Sequence, residues 1–185
     1  MHMKRKGFTL TELLITIAAI AVMLTMFMLS SVNASRSADY NKVITNLRNL
    51  SIAAMTYYSQ NVGKNFTGDS VSNVNITADV KKYLSNITGL QDGDKYYVYI
   101  NVKDTPHSWW AGFDVQTSNQ AVGGKWSTEE TALSARLAAR AKTLNLRWSD
   151  GFGDGNLPKV TGDDNAKKIY QSGKKYVWML IRTGK

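Results

Sequence analysis

A single carboxylate lies near the border between a basic segment and an apolar segment of the chain. Three consecutive cationic residues, 4–6, are followed by Gly7 and Phe8, and Glu12 comes just before an apolar run at residues 13–29. An ionised carboxylate within a membrane helix costs about 2.5–3.5 kcal/mol, which predicts a functional partner for Glu12.

The apolar run predicts a membrane-spanning helix. Its polar side chains are limited to Thr16 and Thr25. Residues 8–30 as an α-helix would measure about 34 Å, enough to cross a hydrocarbon core of roughly 30 Å. The cationic residues before the run would hold the N-terminus in the cytoplasm. We therefore expect a single-pass protein of the cytoplasmic (inner) membrane, surrounded by lipid, whose remaining residues are exported.

Residues 6–14, with the sequence KGFTLTELL, resemble the class III signal of type IV prepilins and of the pseudopilins of type II secretion. The resemblance implies that prepilin peptidase cuts between Gly7 and Phe8 and that Phe8 becomes the N-methylated first residue. It also implies that Glu12 pairs with the Phe8 amine of a neighbouring subunit. An inner-membrane assembly platform would then build a helical homopolymer or a mixed filament, located at the cell surface or in the periplasm.

Two kinds of filament remain open within that resemblance. One is a surface pilus used for adhesion, motility or DNA uptake, and the other is the pseudopilus of a type II secretion system. Many type IV pilins have a helix-kinking proline at the position of Leu29, a glycine at that of Ala21, and a C-terminal disulfide. This chain has neither residue at those positions and no cysteine. The missing proline implies a straighter helix and, with the missing disulfide, leans slightly towards the pseudopilus, whereas the larger head leans towards the pilus.

Three other interpretations of the N-terminal segment compete with the filament subunit. A secretory signal peptide would use the same basic and apolar residues and be cut after Ala34, leaving a soluble secreted binding protein. An uncleaved membrane anchor and a buried helix of a soluble protein are the other two. A signal peptide would leave Glu12 and the junction after Gly7 without a role, so we favour the filament subunit.

An amphipathic pattern continues the helix beyond the apolar run. From Tyr40 to Tyr58, apolar residues recur at spacings of three and four with polar residues between them, which is typical of a helix with one buried face. No proline or glycine interrupts residues 8–62, so we predict one helix of about 50 residues ending near Gly63. Two helices joined near Ser30 are the alternative. The predicted parts are a cleaved leader 1–7, a transmembrane or filament-core helix 8–32, an amphipathic helix 33–62 and a globular head 63–185.

The head is predicted to be α+β, which gives a pilin-like fold in which the long helix packs on an antiparallel sheet of three or four strands. Ser127 and Glu130 have the spacing of a capping box, so they predict the start of an extra helix. Residues 61–75 are predicted to form a loop, and residues 79–84 a short helix. Dense strand-forming residues predict strands at 96–102, 109–115 and 174–183.

A loop rich in aspartate, asparagine and glycine follows the extra helix. Its oxygen-bearing residues could converge on a hard cation such as calcium, and some secretion pseudopilins bind calcium in their C-terminal loop. The spacing is not that of an EF-hand, and a turn-rich surface loop is the alternative interpretation. The candidate calcium ligands are Asp150, Asp154, Asn156 and Asp163.

Charge gives a weaker indication of a partner. The formal net charge is +9, and loss of the leader's cations would lower it to +6, which is compatible with contact to DNA. We favour a solvated helix face and buried tryptophans over a DNA-binding surface. The residues on which DNA binding would depend are Arg136, Arg140, Lys142, Arg147, Trp109, Trp110 and Trp126.

Catalysis finds little support in the sequence. His107 is the only histidine beyond the leader, and there is no cysteine. A His/Cys zinc cluster and a cysteine nucleophile are therefore excluded. We do not expect the chain to be an enzyme.

Overall fold

The computed structural model describes residues 8–68, 72–84, 95–116, 127–152, 156–160 and 168–184. These residues form two units, an N-terminal unit up to Ala38 and a C-terminal unit from Asp39. The predicted α+β arrangement, with a long N-terminal helix and an antiparallel sheet, is confirmed. The elements in the described residues are α1 Leu10–Gln60, β1 Val74–Asn75, α2 Thr77–Lys81, β2 Tyr96–Asn101, β3 Ser108–Asp114, α3 Thr128–Arg140, β4 Leu146–Ser149 and β5 Tyr176–Thr183.

In the N-terminal unit, the side chains of α1 are exposed on all sides of the helix. Leu14 is 63 % exposed and Phe27 is 73 % exposed. The apolar run 13–29 has two hydroxyl groups, and both are satisfied by the helix itself, because Thr16 Oγ1 donates to the Leu13 carbonyl and Thr25 Oγ1 donates to the Val22 carbonyl, each over 2.7 Å. The segment therefore presents an apolar surface with no unsatisfied hydroxyl.

In the C-terminal unit, α1 has one buried face. The buried residues recur at helical spacing, while Lys42, Arg48 and Ile52 on the other side are exposed. The helix ends at Gln60, and Gly63 follows with φ +93°, a backbone conformation that glycine adopts without a steric penalty. The predicted single helix ending near Gly63 is confirmed. The buried face consists of Tyr40, Val43, Ile44, Leu47, Leu50, Ala53 and Ala54.

The strands form one antiparallel sheet in the order β1-β2-β3-β5-β4. The face that packs with α1 carries Val98, Ile100 and Phe113, together with Val177 of β5. Alternate residues of the same strands point to the opposite face, as the pleat requires. Because β3 lies at the centre of the sheet and both faces are covered, six of its seven residues are buried.

The second face of the sheet is covered by the loop that follows β4. Its cluster is built around Trp110, Leu157, Tyr176 and Trp178, with Phe152 packed against it. The ring of Phe152 stacks on that of Tyr99 at a centroid distance of 5.0 Å. The sheet is therefore a middle layer between α1 on one side and an aromatic cluster under a loop on the other.

The sequence predictions missed two of the described strands. Strand β1 consists of two residues within a segment predicted to be loop, and it pairs with Tyr99 and Ile100 of β2. Strand β4 follows α3 after Asn145, which has φ +53°, a conformation that asparagine tolerates better than most residues. The predictions for β2, β3 and β5 are confirmed, with ends shifted by one or two residues. The capped helix α3 is confirmed at its start but ends at Arg140, four residues before the predicted Leu144. The short helix predicted at residues 79–84 is α2 followed by a 3-10 turn, Lys82–Leu84.

Close packing at the centre of the sheet leads to a stability prediction. A Cβ added at Gly112 would overlap Cζ3 and Cε3 of the fully buried Trp178 ring. We expect Gly112→Ala to destabilise the fold by about 1–3 kcal/mol, because the ring must leave its position. The measurement is thermal unfolding followed by tryptophan fluorescence. Gly151→Ala is the matched control, since its nearest atom, Asn156 Nδ2, lies at an ordinary 3.5 Å; equal losses in both variants would contradict the prediction.

Asp114, the last residue of β3, has an unfavourable environment for its charge. Its side chain is 16 % exposed, and its Oδ2 lies 3.9 Å from Lys175 Nζ. Burial raises the pKa of Asp114 to about 6, against the opposing effects of Lys175 and of the hydrogen bond from the Gln116 backbone N–H. Since the folded pKa lies above the unfolded value, the folded state binds the proton more tightly and its stability falls as this group ionises.

We therefore expect the free energy of unfolding to fall between about pH 4 and pH 6 because of Asp114. Asp114→Asn keeps an oxygen acceptor for the Gln116 N–H and should be more stable than the parent by about 2 kcal/mol at pH 7. The two proteins should differ little at pH 4, where Asp114 is protonated in the folded state. Urea unfolding at both pH values measures the difference; a gap of the same size at both would refute this account.

Candidate functional site

The N-terminus of α1 positions Glu12 through a capping box. Thr9 precedes the first helical residue, and Glu12 lies in the first turn. Glu12 Oε2 accepts hydrogen bonds from the Thr9 backbone N–H over 2.9 Å and from Thr9 Oγ1 over 2.8 Å. In return, the Glu12 backbone N–H donates to Thr9 Oγ1 over 3.3 Å. This reciprocal arrangement satisfies N–H groups that a helix N-terminus otherwise leaves open.

The capping box holds the carboxylate of Glu12 but does not neutralise it. Hydrogen bonds from Thr9 and the partial positive charge of the helix N-terminus both stabilise the anion. Within the described part of the chain, no lysine or arginine forms an ion pair with Glu12. A full positive charge for Glu12 therefore has to come from a group outside the described residues or from another molecule.

The role of Thr9 is the feature of this site that sequence reasoning missed. A Thr-x-x-Glu spacing at residues 9–12 is the same capping signal that predicted the start of α3. There the structure confirms the box, with Ser127 Oγ accepting from the Glu130 N–H over 3.1 Å and Glu130 Oε2 accepting from the Ser127 N–H over 2.8 Å. The same rule applied to the first helix would have found Thr9.

The predicted cleavage site is only partly within the described residues. Phe8 is described, is 83 % exposed and directly precedes Thr9. Gly7 and the rest of the predicted leader lie outside the described residues. In a chain that begins at Phe8, the α-amine would belong to the residue before the capping threonine. The amine and the Glu12 carboxylate would then both lie at the N-terminal end of α1.

The loop predicted to bind calcium has two of its four candidate ligands in the described residues. Asp150 Oδ1 lies 3.6 Å from Lys174 Nζ, and the Asn156 carbonyl accepts from Lys168 Nζ over 3.5 Å. The other two candidates, Asp154 and Asp163, lie outside the described residues. Among the residues that are described, no group of three or more His, Cys, Asp or Glu side chains is placed to hold a metal. Calcium binding stays a prediction, and a bound ion would have to compete with both ammonium groups.

The described residues of the same loop have a structural role that the sequence did not predict. Asn101 Nδ2 donates to the Pro158 carbonyl over 2.8 Å, and the Val160 N–H donates to Asp104 Oδ2 over 2.6 Å. Asn73 Nδ2 donates to the Phe152 carbonyl over 3.2 Å. These bonds fix the loop over the second face of the sheet, where Phe152 packs into the aromatic cluster.

The described residues among those considered for DNA binding do not share one exposed surface, in agreement with the favoured interpretation of buried tryptophans. Arg136 and Arg140 lie on α3, but Arg147 lies in β4 and its side chain is 9 % exposed, so the expectation of a shared basic helix face was wrong for Arg147. Trp109 and Trp110 are each 1 % exposed and are not available to stack on bases. Lys142 follows α3 and is exposed, and Trp126 lies outside the described residues.

His107, on which a catalytic triad would depend, is engaged with backbone. Its Nδ1 lies 3.1 Å from the Asp104 carbonyl, whereas the Asp104 carboxylate accepts from the Val160 N–H. A carbonyl oxygen can only accept, so the bond assigns a proton to His107 Nδ1. This geometry differs from the carboxylate-oriented histidine of a serine-type triad.

Comparison with known proteins adds one finding at the N-terminus. Residues 2–28 match the family model described as the prokaryotic N-terminal methylation motif, which is the class III prepilin signal of type IV pilins and pseudopilins. No curated protein and no solved structure matches the chain significantly. The matched segment contains Phe8, Thr9 and Glu12, and thus the whole capping box.

The capping box makes a prediction about local helix stability. Thr9→Val removes the hydroxyl while keeping the side-chain shape, so we expect the first turn of α1 to fray. Amide hydrogen exchange at Glu12 and Leu13 should accelerate about fivefold, as expected for loss of a cap worth about 1 kcal/mol. The measurement is exchange by NMR on the full chain in detergent micelles.

Thr11→Val is the matched control, because it is the same substitution in the same turn and Thr11 is not part of the box. Its exchange rates should stay close to those of the parent. Equal acceleration by both substitutions would show that β-branched apolar residues, rather than loss of the cap, cause the fraying.

Proposed function

We propose that this chain is a structural subunit of a type IV pilus-like filament. The observation that carries the proposal is the methylation motif at residues 2–28, which indicates a type IV pilin-like or pseudopilin-like protein. In the proposed pathway, prepilin peptidase cuts after Gly7 and Phe8 is N-methylated. The subunit then enters a filament through α1 at an inner-membrane assembly platform, and its role is structural rather than catalytic.

The exposed surface of α1 supports membrane anchoring before assembly. Helix α1 is long and apolar enough to cross a membrane, and its most apolar 18-residue window is not buried within the protein. Such a surface needs to be covered by something other than water. Lipid covers it before assembly, and the corresponding helices of neighbouring subunits cover it in the filament. The cationic leader would keep the N-terminus cytoplasmic.

In this proposal, Glu12 makes the assembled filament more favourable than the free subunit in lipid. In lipid, its charge has only the hydrogen bonds from Thr9 and the helix N-terminus. In the filament, the α-amine of Phe8 from a neighbouring subunit lies beside it, and each charge neutralises the other. Because an unpaired charge is costly in an apolar environment and a hydrogen-bonded pair much less so, pairing favours the filament over the free subunit.

A pseudopilin of a type II secretion system is the second candidate function. The observation that favours it is the uninterrupted helix through position 29, where many type IV pilins have a kinking proline. The chain also has no cysteine for a C-terminal disulfide. Electron microscopy of cells labelled for this protein distinguishes the two, since long surface fibres containing it would exclude a purely secretory role.

A soluble secreted protein cut after Ala34 is the alternative from another class. Ala34 lies within α1, with helical residues on both sides, whereas a protease binds its substrate in an extended conformation. Such a cut would also remove Thr9 and Glu12 together with the whole matched motif.

The decisive test of processing is the mass of the N-terminal peptide of the protein isolated from its native cell. We expect the peptide to begin at Phe8 and to be heavier by one methyl group. A peptide that begins at Ser35 would identify an ordinary secreted protein, and one that retains residues 1–7 would identify an uncleaved anchor. Either of these results would overturn the filament proposal.

Three substitutions separate the charge of Glu12 from its role as a helix cap. Glu12→Gln keeps an oxygen for the capping box but removes the charge, Glu12→Ala removes both, and Thr9→Val weakens only the cap. We expect all three to be cut after Gly7, and only Thr9→Val to assemble. Quantifying filaments by shearing and immunoblotting measures the outcome. Normal filament abundance in Glu12→Gln would show that charge pairing does not drive assembly.

A further inference from the structure

The C-terminal unit contains a cavity of about 560 Å³ next to the turn that follows α1. This volume falls within the range of roughly 300–1,000 Å³ that is typical of small-molecule sites. Its described lining residues come from the end of α1, the turn after it, strands β2 and β3, and the residue after β5. They are Tyr58, Gly63, Lys64, Asn65, Phe66, Thr67, Ile100, His107, Trp109 and Gly184.

Three aromatic rings form one wall of the cavity. The ring centroids of Phe66 and Trp109 lie 5.0 Å apart with the planes nearly perpendicular, and those of Tyr58 and Trp109 lie 5.6 Å apart in the same edge-to-face arrangement. Tyr58 and Phe66 are 5.5 Å apart. Rings that contact one another in this way are held in fixed orientations, so the wall is a rigid apolar surface.

Cationic groups surround that wall. The Lys64 ammonium belongs to the lining, and the Arg182 guanidinium lies 3.4 Å above the centre of the Tyr58 ring. The lining also contains the His107 imidazole, which can donate a hydrogen bond. None of the described lining residues is acidic. A positive potential beside an apolar wall selects for ligands that combine a negative charge with an apolar group.

The backbone around the cavity is fixed by its own hydrogen bonds. Asn65 Oδ1 accepts from the backbone N–H groups of Thr67 and Gly68, each over 3.2 Å. On the opposite side, the Gly184 N–H donates to the His107 carbonyl over 2.8 Å. A ligand would therefore enter a preformed space, and little binding free energy would be lost in ordering the protein.

We propose that this cavity is a binding site for a small organic anion that carries a carboxylate or phosphate on a flat apolar group. The anionic group lies against Lys64 and His107, and the apolar group lies against Phe66 and Tyr58. The site is independent of the filament proposal, because its residues belong to the C-terminal unit and none lies in the matched N-terminal motif.

The test uses fluorine NMR of fluorophenyl phosphate with the full chain in non-ionic detergent micelles, which do not attract the dianion. We expect saturable line broadening. Fluorophenol tests the ring without the charge, and inorganic phosphate as a competitor tests the charge without the ring; both should bind much more weakly. The absence of saturation below about 10 mM, an affinity weaker than most specific sites, would overturn the proposal. Binding of fluorophenol or of inorganic phosphate as tightly as fluorophenyl phosphate would also overturn the proposal.

Two variants locate the site. Lys64→Gln removes an exposed charge from the lining and should weaken binding of fluorophenyl phosphate by about fivefold, the scale of one partly exposed charged contact. Phe66→Leu keeps an apolar side chain without the ring and should weaken binding about threefold. Lys142→Gln is the matched control, because Lys142 is exposed outside the cavity. Equal weakening by Lys64→Gln and Lys142→Gln would show a non-specific charge effect and would refute the site.

Discussion

The apolar surface of α1 in the N-terminal unit is the constraint on which the function depends. Covering one leucine- or phenylalanine-sized side chain is worth about 1.5–3 kcal/mol, and more than ten such side chains are exposed between Phe8 and Val32. The total is on the order of 20 kcal/mol or more, far above the roughly 3 kcal/mol cost of placing Glu12 in a membrane. Glu12 therefore does not prevent insertion into lipid. In the proposed pathway, the charge of Glu12 acts on the choice between lipid and filament, because both cover the apolar residues about equally well and the smaller charge contribution then decides.

In the proposed pathway, Thr9 affects the free energy of the unassembled subunit. Its N–H and hydroxyl stabilise the carboxylate before any neighbour arrives, which reduces the cost of an unassembled subunit while leaving the net charge in place. In the proposed pathway, loss of the cap would raise the free energy of the subunit in the membrane. A neutral residue at position 12 would instead remove the charge pairing that favours the filament. The Thr-x-x-Glu spacing thus combines helix capping with a carboxylate charge that the cap does not neutralise.

The C-terminal unit is held together without a disulfide. Its sheet is covered on one face by α1 and on the other by the loop after β4, through the aromatic cluster around Trp110 and Trp178 and through hydrogen bonds to Pro158 and Val160. The absence of a side chain at Gly112 lets the Trp178 ring lie flat on the centre of the sheet. Burial of large aromatic rings and hydrogen bonds to the loop backbone thus hold the loop on the sheet without a covalent cross-link.

An element could be predicted from the sequence when the residues that determine it lie close together in the chain. The long helix, the α3 cap and strands β2, β3 and β5 have periodicity or capping that is complete within a few residues, and their predictions are confirmed. Strand β1 depends on pairing with Tyr99 and Ile100 rather than on its own two residues. Strand β4 contains Arg147, and because of its charge this residue was assigned to the basic face of the preceding helix. Glu12 was found from its isolation among apolar residues, whereas Thr9 was missed although its Thr-x-x-Glu spacing is as local a signal as the capping box of α3.

The cavity near Tyr58 was beyond sequence analysis for the same reason. Its lining joins residues from position 58 to position 184, brought together by the turn at Gly63 and by the pairing of β3 with β5. The aromatic wall is required for packing, since Trp109 also belongs to the main core. Lys64 is exposed and contributes little to that core, so its role in ligand binding can be separated from the packing role of the aromatic wall.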